Sequence, residues 1–452
     1  MNNANIEPPI IVIFGITGDL SRRKLLPALY HMLRLGNLPP ETKIIGTSRR
    51  EIDKHDFMNT VELCVLEKDK VCDPEGLKKV AVALETLQLD PNEDKDYEKL
   101  KHLLHKFDQG SSKVRMFYMS VPSTAYGPIV SHLANNNLNT EKTRLLLEKP
   151  FGYDFDSASK LISLVNQSFK EDQIYRIDHY LAKETAQNLL AFRMHNPIFS
   201  ALWSCEFIQS IHIRAFETIG IEGRDNFYEQ TGAARDFIQS HLMQLLSITM
   251  MDMPKDMTSK SIHDAKQSFF NDLIEANPHH AIRGQYDSYK EEVSNPRSHV
   301  ETYAKILLKS TSEKWRDTNI ILETGKAMQE KSTDIVIEFK TEHERRRNSL
   351  TFQIQPNEGI SLDLVVKEPG LENNMHHTSL DFRYDTTFKD YEYIDAYERV
   401  LMDAIIGDQS LFASDQEVLS TWKVLDPVIK NWQSHGDNLV IYTAGSKGIN
   451  LT

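Results

Sequence analysis

The pattern of apolar and polar positions changes character along this chain. In the first third, short β-branched apolar runs alternate with stretches of helical spacing. IIVIFG (Ile10–Gly15) reads as a strand, and DLSRRKLLPALYHMLRLG after it sets Leu25, Leu26, Leu29, Met32 and Leu33 on one helical face. KIIGTS (Lys43–Ser48), KVRMFYMS (Lys113–Ser120) and TRLLLEKP (Thr143–Pro150) repeat the strand pattern, with helix-like DPEGLKKVAVALETL and YGPIVSHLANNN between them. Apolar strands separated by helices predict a parallel, doubly wound α/β sheet with helices on both faces.

The second half alternates instead. IQSIHIRAFE (Ile208–Glu217), TDIVIEFK (Thr333–Lys340), the two halves of NSLTFQIQPNEGISLDLVV about Pro356–Gly359, and TSLDFRYD (Thr378–Asp385) each place apolar residues at every second position. Such runs joined by hairpin turns predict a large, mainly antiparallel sheet covered by helices, an α+β arrangement. GAARDFIQSHLMQLLSITMMD and DAYERVLMDAII are the helices expected to cover it. The boundary falls near residues 176–182, giving domains 1–178 and 179–452. HERRRNS (His343–Ser349), the most basic run, reads as a solvated turn between strands.

A chain of 452 residues exceeds one ordinary core, which agrees with two domains. The formal net charge of −13 argues against nucleic acid and anionic membranes as partners, so an anionic substrate would need a local basic pocket. Cys64, Cys72 and Cys205 do not make a disulfide framework, which favours a reducing compartment. MNNANIEPPI lacks the marks of a signal peptide, and no apolar run approaches the roughly 20 residues of a membrane helix. A cytoplasmic location is expected.

Three stretches carry candidate chemistry. FGITGDL puts Gly15 and Gly18 between a strand and a helix, where missing side chains let a pyrophosphate approach the backbone; an ordinary strand-to-helix turn is the alternative. The second strand runs into GTSRRE, with Arg49 and Arg50 where an acidic residue would hold a ribose hydroxyl. Arginine there suits a 2′-phosphate, hence NADP over NAD, the alternative being a solvated pair. RIDHYLAKE (Arg176–Glu184) crowds Asp178, His179, Tyr180 and Lys183 together, either to grip an anion or as a solvated helix start. On a helix His179 and Lys183 share a face and Asp178 is a natural N-cap. The pairs His279–His280 and His376–His377 point apart and lack further ligands, so no metal is expected.

FGITGDLSRRKLLPALY, EKPFGYD, RIDHYLAKE, GRDNFYEQTGAARDFIQSHLMQLL, GQYD, ETYA, GKAM and DAYERVLMDAIIGDQSLF follow one another from about residue 11 to about residue 445. In that order they resemble the glucose-6-phosphate dehydrogenase family. The resemblance implies an N-terminal Rossmann-like NADP domain and a C-terminal β+α domain for substrate binding and dimerisation. It implies oxidation of D-glucose 6-phosphate to 6-phospho-D-glucono-1,5-lactone with hydride transfer to NADP, the first step of the oxidative pentose phosphate pathway, in a homodimer or tetramer. By the same resemblance His241 is the catalytic base and Asp178 the carboxylate that orients it. His179, Tyr180 and Lys183 hold the sugar phosphate together with Lys331, a set of donors suited to a dianion. Lys24, Glu217, Asp236 and Lys326 match sugar-contacting positions, and Lys149 one that touches both sugar and cofactor. Gly15, Thr17, Gly18, Asp19, Leu20, Arg49, Glu148 and Lys149 are the implied cofactor contacts, Glu148 at the nicotinamide amide. Pro150 is expected to follow a cis peptide.

Several positions depart from the family pattern. Ala182 stands where glycine is usual, Ser240 where asparagine is usual, and Glu323 where an arginine commonly precedes TGK; WRDTN (Trp315–Asn319) replaces WAGVP. The sequence also admits two other readings. An oxidoreductase on another sugar or sugar phosphate is disfavoured for neutral sugars by the phosphate donors. A non-catalytic NADP sensor is disfavoured by the presence of both His241 and Asp178.

Overall fold

The computed structural model describes residues 6–108, 113–341, 347–389, 394–434 and 438–449. The chain divides into two compact units. The first runs to Gly152 and adds Asp156–Ala182 and Ile394–Asp415; the second takes Tyr153–Phe155, Lys183–Tyr393 and Gln416 onward.

In the first unit, strands β1 (Ile10–Phe14), β2 (Lys43–Ser48), β3 (Leu84–Gln88), β4 (Arg115–Met119), β5 (Thr143–Leu147) and β6 (Ile174–Ile177) pair in parallel in the order β6-β5-β4-β1-β2-β3. A two-residue strand, Phe412–Ala413, adds antiparallel to β6. β1 and β4 are buried throughout, as central strands covered on both faces must be. Chain order reverses between β1 and β4, and the carboxyl ends of the strands at such a switch point form the crevice where open α/β sheets bind ligands.

Two sequence expectations are corrected here. The segment expected as one helix over residues 73–87 is a helix only over Pro74–Ala83, capped by Asp73; LETLQ continues as β3 beside β2. Pairing at the sheet edge overrides a weak helical pattern there. The helix Ala396–Ile406 does not cover the antiparallel sheet. Its stripe Tyr397, Val400, Leu401 and Ala404 joins the first unit's core with Leu26, Leu29, Met116 and Leu146. Periodicity identifies the face to be buried, not the surface that buries it.

The second unit holds a nine-stranded sheet. β7 (Ile208–Phe216), β8 (Ala281–Tyr286), β9 (Tyr303–Leu308), β10 (Asn319–Gly325), β11 (Ser332–Phe339), β12 (Ser349–Gln355), β13 (Gly359–Lys367) and β14 (Met375–Arg383) run in the order β14-β13-β12-β11-β7-β10-β9-β8, with Leu439–Tyr442 beyond β8. It is antiparallel except at β7–β10 and at β8 with the last strand. β7 and β12 alternate buried and half-buried residues, the mark of one covered face. Helix Glu184–His195 packs on β12, and the segment Ala234–Leu242 on β7, β9 and β10. The turn expected at His343–Ser349 lies largely outside the described residues.

Candidate functional site

The first unit gathers its candidate residues at the carboxyl ends of the parallel strands. Gly15 leaves β1 with φ +80°, and a Cβ there would lie 2.5 Å from the Ser120 carbonyl oxygen. Only glycine lets the turn pass that close to the loop after β4. The Gly18 N–H donates to the Gly15 carbonyl at 2.9 Å, and the buried Ser21 hydroxyl donates to the same oxygen at 3.1 Å. The helical turn starts at Asp19, with Thr17 and Asp19 exposed, Leu20 partly buried against the core, and Lys24 exposed one turn on.

The end of β2 is tied to this turn, since the Gly15 and Ile16 N–H groups donate to the Thr47 carbonyl. Arg49 and Arg50 follow immediately and are exposed. Among the described residues no carboxylate pairs with either guanidinium.

Glu148 and Lys149 follow β5. The Tyr118 hydroxyl donates to Glu148 Oε1, while the Tyr126 hydroxyl donates to the Glu148 carbonyl at 2.9 Å and accepts its N–H at 3.2 Å. Burial pushes the Glu148 carboxyl up to about 7. The Tyr118 hydrogen bond and the Lys149 charge oppose that rise, and the Asp178 charge adds to it. The Lys149–Pro150 peptide is cis, as expected. Tyr118 and Tyr126 were not singled out in the sequence. An aromatic inside a strand and one opening a helix carry no spacing that separates them from core.

RIDHYLAKE is not a helix start. Asp178 to Ala182 form a turn closed by the Leu181 N–H to the Asp178 carbonyl (3.1 Å), and the helix begins at Glu184. Asp178 Oδ1 accepts the Tyr180 N–H at 2.9 Å, so the carboxylate caps a turn rather than a helix. His179 therefore shares no helical face with Lys183. Its ring lies 6.4 Å from that of Tyr397 at an interplanar angle of 16°, and 5.0 Å from that of the buried Tyr180. Ala182 is buried in the same core as Ile177, so the methyl replacing glycine is accommodated by packing.

In the second unit His241 is buried on the segment Ala234–Leu242, whose turns are widened to i→i+5 bonding. Such widening often marks functional sites. It also brings Asp236 and His241, five apart, toward one face. Gly232 makes the kink before it (φ +63°); a Cβ there would lie 2.4 Å from Glu301 Oε1. The Ser240 hydroxyl, where asparagine was usual, donates to the Asp236 carbonyl at 2.8 Å.

Lys326, buried at 2% exposure, follows β10 and pairs with Glu217 at the end of β7. Its ammonium also lies 5.3 Å from the Tyr228 ring and 5.8 Å from the Phe237 ring. Two residues matched separately by resemblance thus form one unit of charge. Lys183 donates to Gln355 on β12, and the exposed Lys331 immediately precedes β11. Glu323 faces His212 at 2.7 Å and Lys305 at 3.5 Å and accepts the Tyr303 hydroxyl. Burial would raise it, but these partners hold it down to about 2. The reversed charge is neutralised inside the sheet.

Comparison with known proteins agrees with this two-sheet fold. The family description "Glucose-6-phosphate dehydrogenase, NAD binding domain" matches residues 12–188, and "Glucose-6-phosphate dehydrogenase, C-terminal domain" matches residues 190–451. The glucose-6-phosphate 1-dehydrogenase of Gluconobacter oxydans is 36% identical over 471 aligned positions, covering 98% of this chain and 95% of that protein. That of Mycolicibacterium smegmatis is 35% identical, covering 98% and 94%. A solved glucose-6-phosphate dehydrogenase in complex with its substrate glucose 6-phosphate superposes with a TM-score of 0.92 at 32% identity, covering 99% of this chain and 97% of that one. Two domain matches end to end, with relatives alike over nearly their full length, establish that this chain belongs to the glucose-6-phosphate dehydrogenase family.

Proposed function

We infer that this chain oxidises D-glucose 6-phosphate at C1 to 6-phospho-D-glucono-1,5-lactone, with NADP as hydride acceptor, as the first step of the oxidative pentose phosphate pathway. The observation that carries the reading is family membership over nearly the whole chain. The cofactor fits what the first unit offers. Its glycine turn sets unsubstituted backbone at the carboxyl end of β1, where a pyrophosphate would lie, and two exposed arginines, with no carboxylate partner among the described residues, stand at the adjacent strand end for a 2′-phosphate. NADP, when bound, supplies the hydride acceptor. Gly15, Thr17, Gly18, Asp19, Leu20 and Arg49 hold it, with Glu148 and Lys149 at the nicotinamide end.

The sugar is handled by side chains. His241 takes the C1 hydroxyl proton as carbon loses hydride, and Asp178 fixes its tautomer and favours its charged form, a pairing that follows from the family pattern. His179, Tyr180, Lys183 and Lys331 hold the phosphate. Lys24, Glu217, Asp236 and Lys326 contact the ring, and Lys149 serves both ligands. A homodimer is supported by the exposed ribbon of β13 and β14 at the sheet edge, where Val365, Val366, Met375 and Leu380 are 41%, 43%, 54% and 61% exposed. A cytoplasmic location is supported by three free cysteines; among the described residues no helix is long and apolar enough to cross a membrane.

The test is a matrix of initial rates for glucose 6-phosphate, glucose and galactose 6-phosphate, each with NADP and NAD, followed by nicotinamide absorbance. Glucose 6-phosphate with NADP is expected to give the highest kcat/KM. Turnover indifferent to the phosphate would contradict the reading.

A further inference from the structure

Lys326 sits on a loop whose shape is imposed from outside. Ala327, next to it, has φ +49°, a left-handed conformation that costs a non-glycine residue energy and persists only where neighbours fix it. On one side the exit of β7 does so: the Ala327 N–H donates to the Ile219 carbonyl and the Met328 N–H to the Glu217 carbonyl, both at 2.9 Å. On the other side stands the last strand, Leu439–Tyr442, with the turn after it. The Gly445 N–H donates to the Ala327 carbonyl at 2.7 Å, and the Gln329 N–H to the Ser446 carbonyl at 2.8 Å.

Lys326 itself is held from that side. The Tyr442 hydroxyl donates to the Lys326 carbonyl at 2.7 Å. Having given its proton there, it accepts from the Thr302 hydroxyl at 2.9 Å, whose oxygen takes the Tyr286 N–H at 3.0 Å. The Lys326 N–H donates to the Thr302 carbonyl at 2.9 Å. Through the hydroxyls, donation runs from Tyr286 by way of Thr302 and Tyr442 to the Lys326 carbonyl, and the Lys326 N–H returns a bond to the Thr302 carbonyl. The Tyr442 ring is seated edge-on against Tyr286 and Tyr303, at 6.3 and 5.9 Å.

We propose that Tyr442 is a positioning residue for sugar binding: its hydroxyl fixes the Lys326 backbone, so that the Lys326–Glu217 pair stands preformed before substrate arrives. This rests on the reading of Lys326 as a sugar contact and assigns the C-terminal strand a part in affinity for the sugar. A side chain held this way loses little freedom when the ligand binds, so loosening the anchor weakens ground-state binding and leaves the proton-transfer step alone.

The experiment uses the full chain with glucose 6-phosphate and NADP. Tyr442→Phe removes the hydroxyl and keeps the ring. It is expected to raise KM for glucose 6-phosphate about 3- to 10-fold, the size of one buried hydrogen bond, with kcat and KM for NADP within about 2-fold. Combined with Lys326→Met it should add nothing to the KM of Lys326→Met alone. A lowered melting temperature with unchanged KM, or a full additional loss in the double variant, would overturn the proposal. An unchanged KM in Lys326→Met would contradict the sugar-contact reading itself, and the inference with it. Should Tyr442→Phe not fold, Thr302→Val removes the hydroxyl that donates to Tyr442 and is expected to shift the same KM in the same direction; no shift would count against the proposal.

Discussion

Glu148 in the first unit and Glu417 in the second are both carboxylates that burial pushes toward the neutral form, yet their charges behave oppositely. The Glu148 carboxylate is met by one phenol, Tyr118, and burial leaves it at about 7 despite that hydrogen bond and the nearby Lys149. Glu417 is wholly buried with an equally buried Lys266 at 2.6 Å and His263 at 2.6 Å. Burial pulls it up, and these partners hold it at about 2. Glu323, between His212 and Lys305, repeats the second pattern. A phenol donates a hydrogen bond without a charge and cannot offset desolvation as an ammonium does. Glu148 at the first unit's strand ends is therefore poised between forms, while Glu417 and Glu323 in the second unit stand in fixed ion pairs; Glu301, also in the second unit, is raised by burial as Glu148 is.

This contrast assigns the two units different failures. The largest is expected at the proposed proton acceptor. His241→Asn should lower kcat about 10²- to 10⁴-fold with little change in KM, and a loss below about 10-fold would remove His241 as the base. Next comes the buried pair. Lys266→Met strands Glu417 and should cost about 3–5 kcal/mol in urea unfolding, most of it recovered by adding Glu417→Gln; no recovery would mean that the pair is not what stabilises this contact.

The smallest effect is the response to pH. Glu148 is raised in the folded state, so its contribution to stability is complete below the usual carboxylate range and is lost as pH rises through about 7. Glu417 and Glu323 are lowered, so theirs is complete above that range and is lost as pH falls toward about 2. Glu148→Gln should diminish the loss of stability that ends near pH 7, leaving the part that Asp403, raised by burial to about 6, contributes at lower pH, and should leave acid unfolding as it was. A loss near pH 7 that the substitution does not diminish would break the comparison.

How much of this was legible in the sequence differs between the units for a physical reason. The glycine turn and the arginines after β2 are local: a strand, a turn and the next strand end fix them, and pattern reading finds such features. The two-sheet architecture was legible from the change of periodicity, and the five alternating strands lie where the pattern put them, the last beginning three residues earlier at Met375. β8, β9 and β10 were missed, as was the true partner of helix Ala396–Ile406, because long-range pairing decides them. RIDHYLAKE misled as a helix because its polar spacing suits one, whereas Asp178 capping Tyr180 closes a turn. Resemblance supplied Lys326 and Glu217 one at a time; their pairing, and the Tyr442 hydroxyl behind them, join residues more than a hundred positions apart that no local spacing connects.

The central claim is that carbon 1 of the phosphorylated sugar gives its hydride directly to NADP. The most direct test is turnover of glucose 6-phosphate deuterated at C1, with the reduced cofactor analysed by mass spectrometry. Singly deuterated NADPH, formed more slowly than from unlabelled sugar when hydride transfer limits the rate, is the predicted result. Unlabelled NADPH, or none at all, would contradict the account.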